Sequence, residues 1–197
     1  MKKLLIWIFP LPLAIAISAC SSKPAAVDNQ SMGEAKPTEA SMEAKQVAAE
    51  QEAAFVTEIS FAKGSSTLGK EAKSKLSKLF DKVSEGQDIQ SAKVITWADE
   101  NYPSDSKKSL SQSQQDLVKK RNDAIKDFIS KEDKDLDLDF FNMAERPGSA
   151  SEFFGLPDAR IKKSLEDAGI PTTDDQGKGK NRISKSMVML VIKDENK

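Results

Sequence analysis

Gly64-Ser65-Ser66-Thr67-Leu68-Gly69-Lys70 fits G-x-x-x-x-G-K, the opening of a loop whose backbone amides cradle phosphate. An apolar run precedes it, a helical pattern follows, and "KVITWADE" downstream is similar to a strand whose terminal acids hold magnesium. Glu71 opposes this chemistry, because the loop needs a Ser or Thr hydroxyl there and a carboxylate repels phosphate. No residue is evident to position an attacking water. Ser60 and Lys63 have the Ser-x-x-Lys spacing of some serine hydrolases, but Ser104 and Lys107 repeat it and no Lys-Thr-Gly follows. On a strand Ser60 and Lys63 would also point to opposite faces. The expectation is a protein that is not an enzyme and uses no cofactor and no metal.

Two other residues carry a more coherent chemistry. Arg121 lies four residues after Leu117, four before Ile125 and seven before Phe128, so it projects from a helical stripe that should be apolar. Asp99 follows the apolar run "AKVITWA", at a strand end, where crevices open in α/β sheets. An arginine fork and a carboxylate brought together would grip a zwitterion, Asp99 taking an ammonium and Arg121 a carboxylate. The plainer reading of Arg121 is a side chain that snorkels its head to the edge of the stripe.

The elements that must position these residues begin with the chain's address. Lys2 and Lys3 precede an apolar run from Leu4 to about Ile17, and small residues lead to the single cysteine, Cys20. This is the layout of a secretory signal, with Pro10 and Pro12 and a length short of the roughly twenty residues of a spanning helix. Ile17-Ser18-Ala19-Cys20 resembles the lipobox of bacterial lipoproteins, which implies lipidation (palmitate) of Cys20. Ser21, in place of an inner-membrane-retaining Asp, implies through the same resemblance the periplasmic face of the cell outer membrane. Outside the cytoplasm ATP is no ready substrate. The sequence has no histidine, which excludes histidine bases and the common zinc and iron ligand sets. Removal of the signal takes Lys2 and Lys3 from 30 basic residues, leaving 28 against 31 acidic ones. No basic excess recommends nucleic acid as a partner.

Residues 1–19 therefore read as a lipoprotein signal peptide and 20–53 as lipidated Cys20 with a flexible tether. From Ser21 to Ala54 there is no aromatic residue, leucine or isoleucine, so little apolar surface can offset ordering entropy. Within it "SMEAKQVAAEQEAA" favours a transient helix without a strong apolar stripe. Residues 54–195 read as one domain. "FVTEISF" and "LDLDFF" alternate, whereas "AKVITWA" and "SMVMLVI" are nearly continuous apolar runs suited to inner strands. Helical patterns place Leu76, Leu79, Phe80 and Val83 on one face, then Leu117, Ala124, Ile125, Phe128 and Ile129. A third opens near Pro157, runs through Ile161 and Leu165, and stops at Gly169. The order β-α-β-α-β-α-β predicts an α/β two-layer sandwich with helices on one face of a four-stranded sheet. "ENYPSDSKKSLSQSQQ" reads as an interaction loop or as an ordinary solvated insertion.

The chain from Phe55 to Lys193 resembles the OmpA-like peptidoglycan-binding domain of OmpA and of peptidoglycan-associated lipoproteins. "ISFAKGSSTL" is similar to the family's first strand and turn, and "VITWAD" to a strand closing on Gly-x-Thr-Asp. "LVKKRNDAIKDFI" looks like the helix Leu-Ser-x-x-Arg-Ala-x-x-Val-x-x-x-Leu, with Arg121 on the family arginine. "NMAERP" resembles Gly-x-Gly-Glu-x-x-Pro, and "KNRISKSMVMLVI" the Asn-Arg-Arg-Val turn with the last strand. The resemblance implies that Asp99 and Arg121 hold the zwitterionic end of diaminopimelate in the peptide stems of the cell wall. It extends the ligand site to Trp97 in the turn, Gln114 at the place of a family asparagine, and Arg182. The expected function is an outer-membrane lipoprotein that binds peptidoglycan non-covalently and links membrane to wall. The alternative is a degenerate OmpA-like module whose partners are envelope proteins.

Overall fold

Among the described residues, eight elements follow from the alternation of apolar periods along the chain. The computed structural model describes residues 40–83, 87–101, 103, 108–147, 155–168, 170 and 183–193. These belong to a compact unit running from Lys36 to Lys197, while a separate unit, Met1–Ala35, falls outside the described residues, as does the expected signal with Cys20.

The first element is helix α1, Met42–Glu50, capped by the Ser41 hydroxyl, which accepts from Ala44 N at 3.2 Å. Strand β1, Phe55–Ser60, leads to helix α2, Lys70–Phe80, and strand β2, Ile89–Thr96. Helix α3, Gln112–Glu132, then crosses over to strand β3, Asp137–Asn142. Helix α4, Pro157–Asp167, opens on a proline whose missing N–H costs nothing in a first turn. Strand β4, Lys185–Ile192, completes the fold.

The four strands form one sheet in the order β1-β4-β2-β3. β4 lies antiparallel to both β1 and β2, and β2 runs parallel to β3. The two nearly continuous apolar runs are thus the two inner strands, as expected. The expected α/β layering is present: α2 and α3 cover the face carrying Ile59, Ala92, Val94, Val188 and Leu190. The opposite face is not bare. Ile95, Met187 and Met189, at the alternate strand positions, pack with Val47 of α1 and with Ile161 and Leu165 of α4. The third expected helix therefore lies across the sheet from the first two, and this explains why β2 and β4 are apolar at successive residues.

The folded domain begins earlier than the expected boundary at residue 54. Ala44, Val47 and Ala48 of α1 are buried in the core under the sheet. Gln51, 5% exposed, donates from Nε2 to the Ser164 hydroxyl at 2.9 Å, and its carbonyl accepts from Lys93 Nζ at 3.2 Å. The Ser41 amide donates to Glu58 Oε2 at 2.8 Å. Residues from about Ala40 onward belong to the folded domain, because small side chains at i, i+3 and i+4 suffice for a helix that docks on ready-made apolar surface.

Register brings the ends of β1, β2 and β3 and the start of β4 to one edge of the sheet. Ser60 pairs with Lys185 and Thr96 with Ser186, so β1 and β2 finish where β4 starts. The Thr96 and Ser186 hydroxyls meet at 2.8 Å in a buried cross-strand bond that pins this register. Beyond β2, the described ends of the 100–116 segment are tied down. Leu110 N donates to Ala144 O and Arg146 N to Lys108 O, both at 2.8 Å, and α3 takes its first turn from this segment. Residues 102 and 104–107 of that segment lie outside the described residues.

Candidate functional site

Arg121 and Asp99 meet at this edge. α3 begins at Gln112, so Arg121 sits more than two turns inside it, beyond the first turn where the helix dipole disfavours a cation. Its side chain has no exposed surface, so it does not snorkel to an edge. The chain after β2 turns back over α3, and Nη2 of Arg121 donates to Oδ1 of Asp99 at 2.6 Å.

The remainder of the guanidinium is occupied by backbone oxygens. Nε donates to Ser65 O at 2.9 Å, Nη1 to Trp97 O at 2.9 Å, and Nη2 also reaches Ala62 O at 3.5 Å. The ring of Phe61 lies 4.9 Å from the guanidinium carbon, adding a cation–π contact. The pair is net neutral and internally satisfied, the condition under which buried charge is tolerated.

Asp99 is held on every side, with its side chain only 6% exposed. Oδ1 accepts from the Ser184 hydroxyl at 2.6 Å as well as from Arg121, and Oδ2 accepts from the Gly64 amide. The Asp99 amide donates to Gln114 Oε1 at 3.0 Å, so the side chain opening α3 fixes the turn after β2. Burial pushes the Asp99 carboxyl upward. The Ser184 hydroxyl, the Arg121 hydrogen bond, the Gly64 amide and the Arg121 charge together outweigh it, holding the group below its ordinary value of 3.8. The carboxylate is therefore ionised at neutral pH.

The loop between β1 and α2 is folded onto this pair. Gly64 has φ 72°, a turn conformation that glycine adopts without strain. Its amide points at a carboxylate, while Ala62 and Ser65 aim carbonyl oxygens at a guanidinium. The loop thus serves both members of the pair, giving one amide to the anion and two carbonyls to the cation. Lys70 is exposed at the start of α2. Among the described residues, no three metal-ligating side chains cluster.

Of the residues expected at the ligand site, the fold brings together Asp99, Arg121 and Gln114. Trp97 contributes only its main chain. Its indole, 3% exposed, continues the alternation of Lys93 and Ile95 into the core beside α1 and α4, away from the pair. Trp97 is thus corrected from ligand contact to core residue. Arg182 and Cys20 lie outside the described residues. Ser184, Gly64 and the Ala62 and Ser65 carbonyls were not anticipated in this role. Only the pairing of β4 beside both β1 and β2 carries Ser184 to Asp99, and no residue spacing announces it. No family model matches the chain, and no curated protein matches it either.

Proposed function

We propose that this chain is an OmpA-like outer-membrane lipoprotein, anchored through Cys20, that binds peptidoglycan without chemistry and ties membrane to wall. The observation that supports it is the direct Asp99–Arg121 pair at the sheet edge, an acid and a forked base of the kind that accepts a zwitterion. In the free protein each partner serves as the other's counter-ion. A diaminopimelate end would exchange into that pair, its ammonium replacing Arg121 on Asp99 and its carboxylate replacing Asp99 on Arg121. The exchange conserves net charge, so no ion is left uncompensated. It also requires opening: Arg121 is sealed, and the loop carrying Ala62, Gly64 and Ser65 must move to admit the ligand. Apparent affinity is then the intrinsic affinity reduced by the fraction of open molecules.

A second reading is favoured by the same burial. With every side of the guanidinium engaged, the pair serves as a permanent tie and the module docks envelope proteins in place of the wall. Sedimentation of the soluble domain with purified peptidoglycan separates the two. On the wall-binding reading wild type pellets, while Asp99→Asn and Arg121→Lys, shown folded by circular dichroism, stay in the supernatant. Wild type remaining in the supernatant, or folded variants pelleting as wild type does, leaves the tie.

A further inference from the structure

Ser184 stands just before β4 in the left-handed region, with φ 57°. A residue other than glycine costs about 1 kcal/mol or more in that conformation and persists there when its surroundings over-determine it. Here they do. The Ser184 amide donates to Ala98 O at 2.7 Å, and its carbonyl accepts from the Phe61 amide at 2.8 Å. The backbone alone would be served better by glycine, so the hydroxyl must account for the serine. That hydroxyl donates to Asp99 Oδ1 at 2.6 Å, the length of a charge-assisted bond to an ionised carboxylate.

Three donors surround Asp99, and they differ in what holds them. Arg121 comes from α3 and is the partner that a zwitterion would replace. The Gly64 amide belongs to the loop that must open. Ser184 is fixed to the sheet edge by its two backbone bonds, to Ala98 O and from the Phe61 amide, neither of which involves Arg121 or Gly64.

We propose that Ser184 is a positioning residue of the candidate site, holding Asp99 Oδ1 in place while its cationic partner changes from Arg121 to the ammonium of a bound zwitterion. The proposal rests on the wall-binding reading. Among the described residues, the charge that faces Asp99 is that of Arg121 on α3; the β1–α2 loop offers the Gly64 amide, the segment before β4 the Ser184 hydroxyl, and Gln114 meets the Asp99 amide. The hydroxyl also helps to keep the carboxyl below its ordinary value.

Ser184→Gly tests this, because glycine accepts the positive φ while the substitution removes the hydroxymethyl group that carries the hydroxyl. Two quantities are read: the Asp99 titration by carboxyl-carbon NMR on the free domain, and binding of purified peptidoglycan and of a soluble stem peptide ending in diaminopimelate across pH. The expected result is an upward shift of the Asp99 titration and about tenfold weaker binding, with the acid limb of binding moved to higher pH. An unchanged Asp99 titration overturns the proposal whatever the binding shows. A shifted titration with unaltered binding in the variant overturns it also. A shifted titration in a protein whose wild type binds neither probe overturns it through its premise, and shows that the ligand reading failed while the contact is real.

Discussion

At the scale of single residues, the energetics turn on a charge pair that neither member can leave alone. Deleting one partner of a buried pair strands the other and costs about 3–5 kcal/mol, whereas replacing both by apolar groups is often close to neutral. Arg121→Met is therefore expected to lower unfolding stability by about 3–5 kcal/mol in urea titrations, and Arg121→Met combined with Asp99→Leu by clearly less. A double variant as unstable as the sum of the singles would mean that the two residues do not act as a unit. The backbone oxygens of Ala62, Ser65 and Trp97 temper the recovery, since they lose their donors in either variant. Asp99 and Arg121 were legible in the sequence because each breaks a local rule, a cation in an apolar stripe and an acid closing an apolar strand. Trp97 misled because its closeness in sequence to Asp99 says nothing about direction: its indole obeys the strand's alternation, and the chain turns only after it. Ser184 breaks a rule as well, but the rule concerns φ, which the sequence does not display.

At the scale of elements, α1 shows what composition conceals. Tether and docked helix draw on the same alanine, glutamate and glutamine, and a weak apolar stripe separates them poorly. The difference lies in the receiving surface, where Ile161 and Leu165 of α4 and Met187 and Met189 of β4 leave a shallow apolar seat. Polar contacts then fix the helix: Gln51 to Ser164, Lys93 to Gln51, and Gln46 Nε2 to Asp167 O at 3.2 Å. Strands and later helices were legible because their apolar periods are strong, and α3 starts ahead of its first apolar residue, Leu117, because polar "QSQQ" forms helix without marking a face. The domain boundary is directly testable. A soluble chain beginning at Ala40 is expected to melt as the full-length one does. One beginning at Ala54 uncovers the seat, losing about 2 kcal/mol and about 5 °C in Tm by scanning calorimetry. Equal melting of the two shorter chains would return residues 40–53 to the tether.

At the scale of the whole molecule, the Asp99 cluster joins the β1–α2 loop, the end of β2, helix α3 and the entry to β4, so its titration reports on the fold as a unit. With no histidine in the chain, no side chain with an ordinary pKa between 5 and 8 is present to couple folding to protons there. Stability is accordingly expected to be flat from about pH 8 to about pH 5. Asp99 contributes to the acid side. Its carboxyl lies below 3.8 in the folded chain, so at falling pH the unfolded state takes up the proton first. The contribution is complete above the unfolded value and is lost as pH drops through the folded one, which places the decline below about pH 4. Other acids add to this decline, and Asp99→Asn isolates the share of this one. The variant is expected to start from a lower urea midpoint at neutral pH and to fall less on acidification, so that the two curves converge as the pH drops. Parallel curves, separated equally at pH 7 and pH 3, would mean that Asp99 stabilises the fold by shape and hydrogen bonding alone, with its charge contributing nothing.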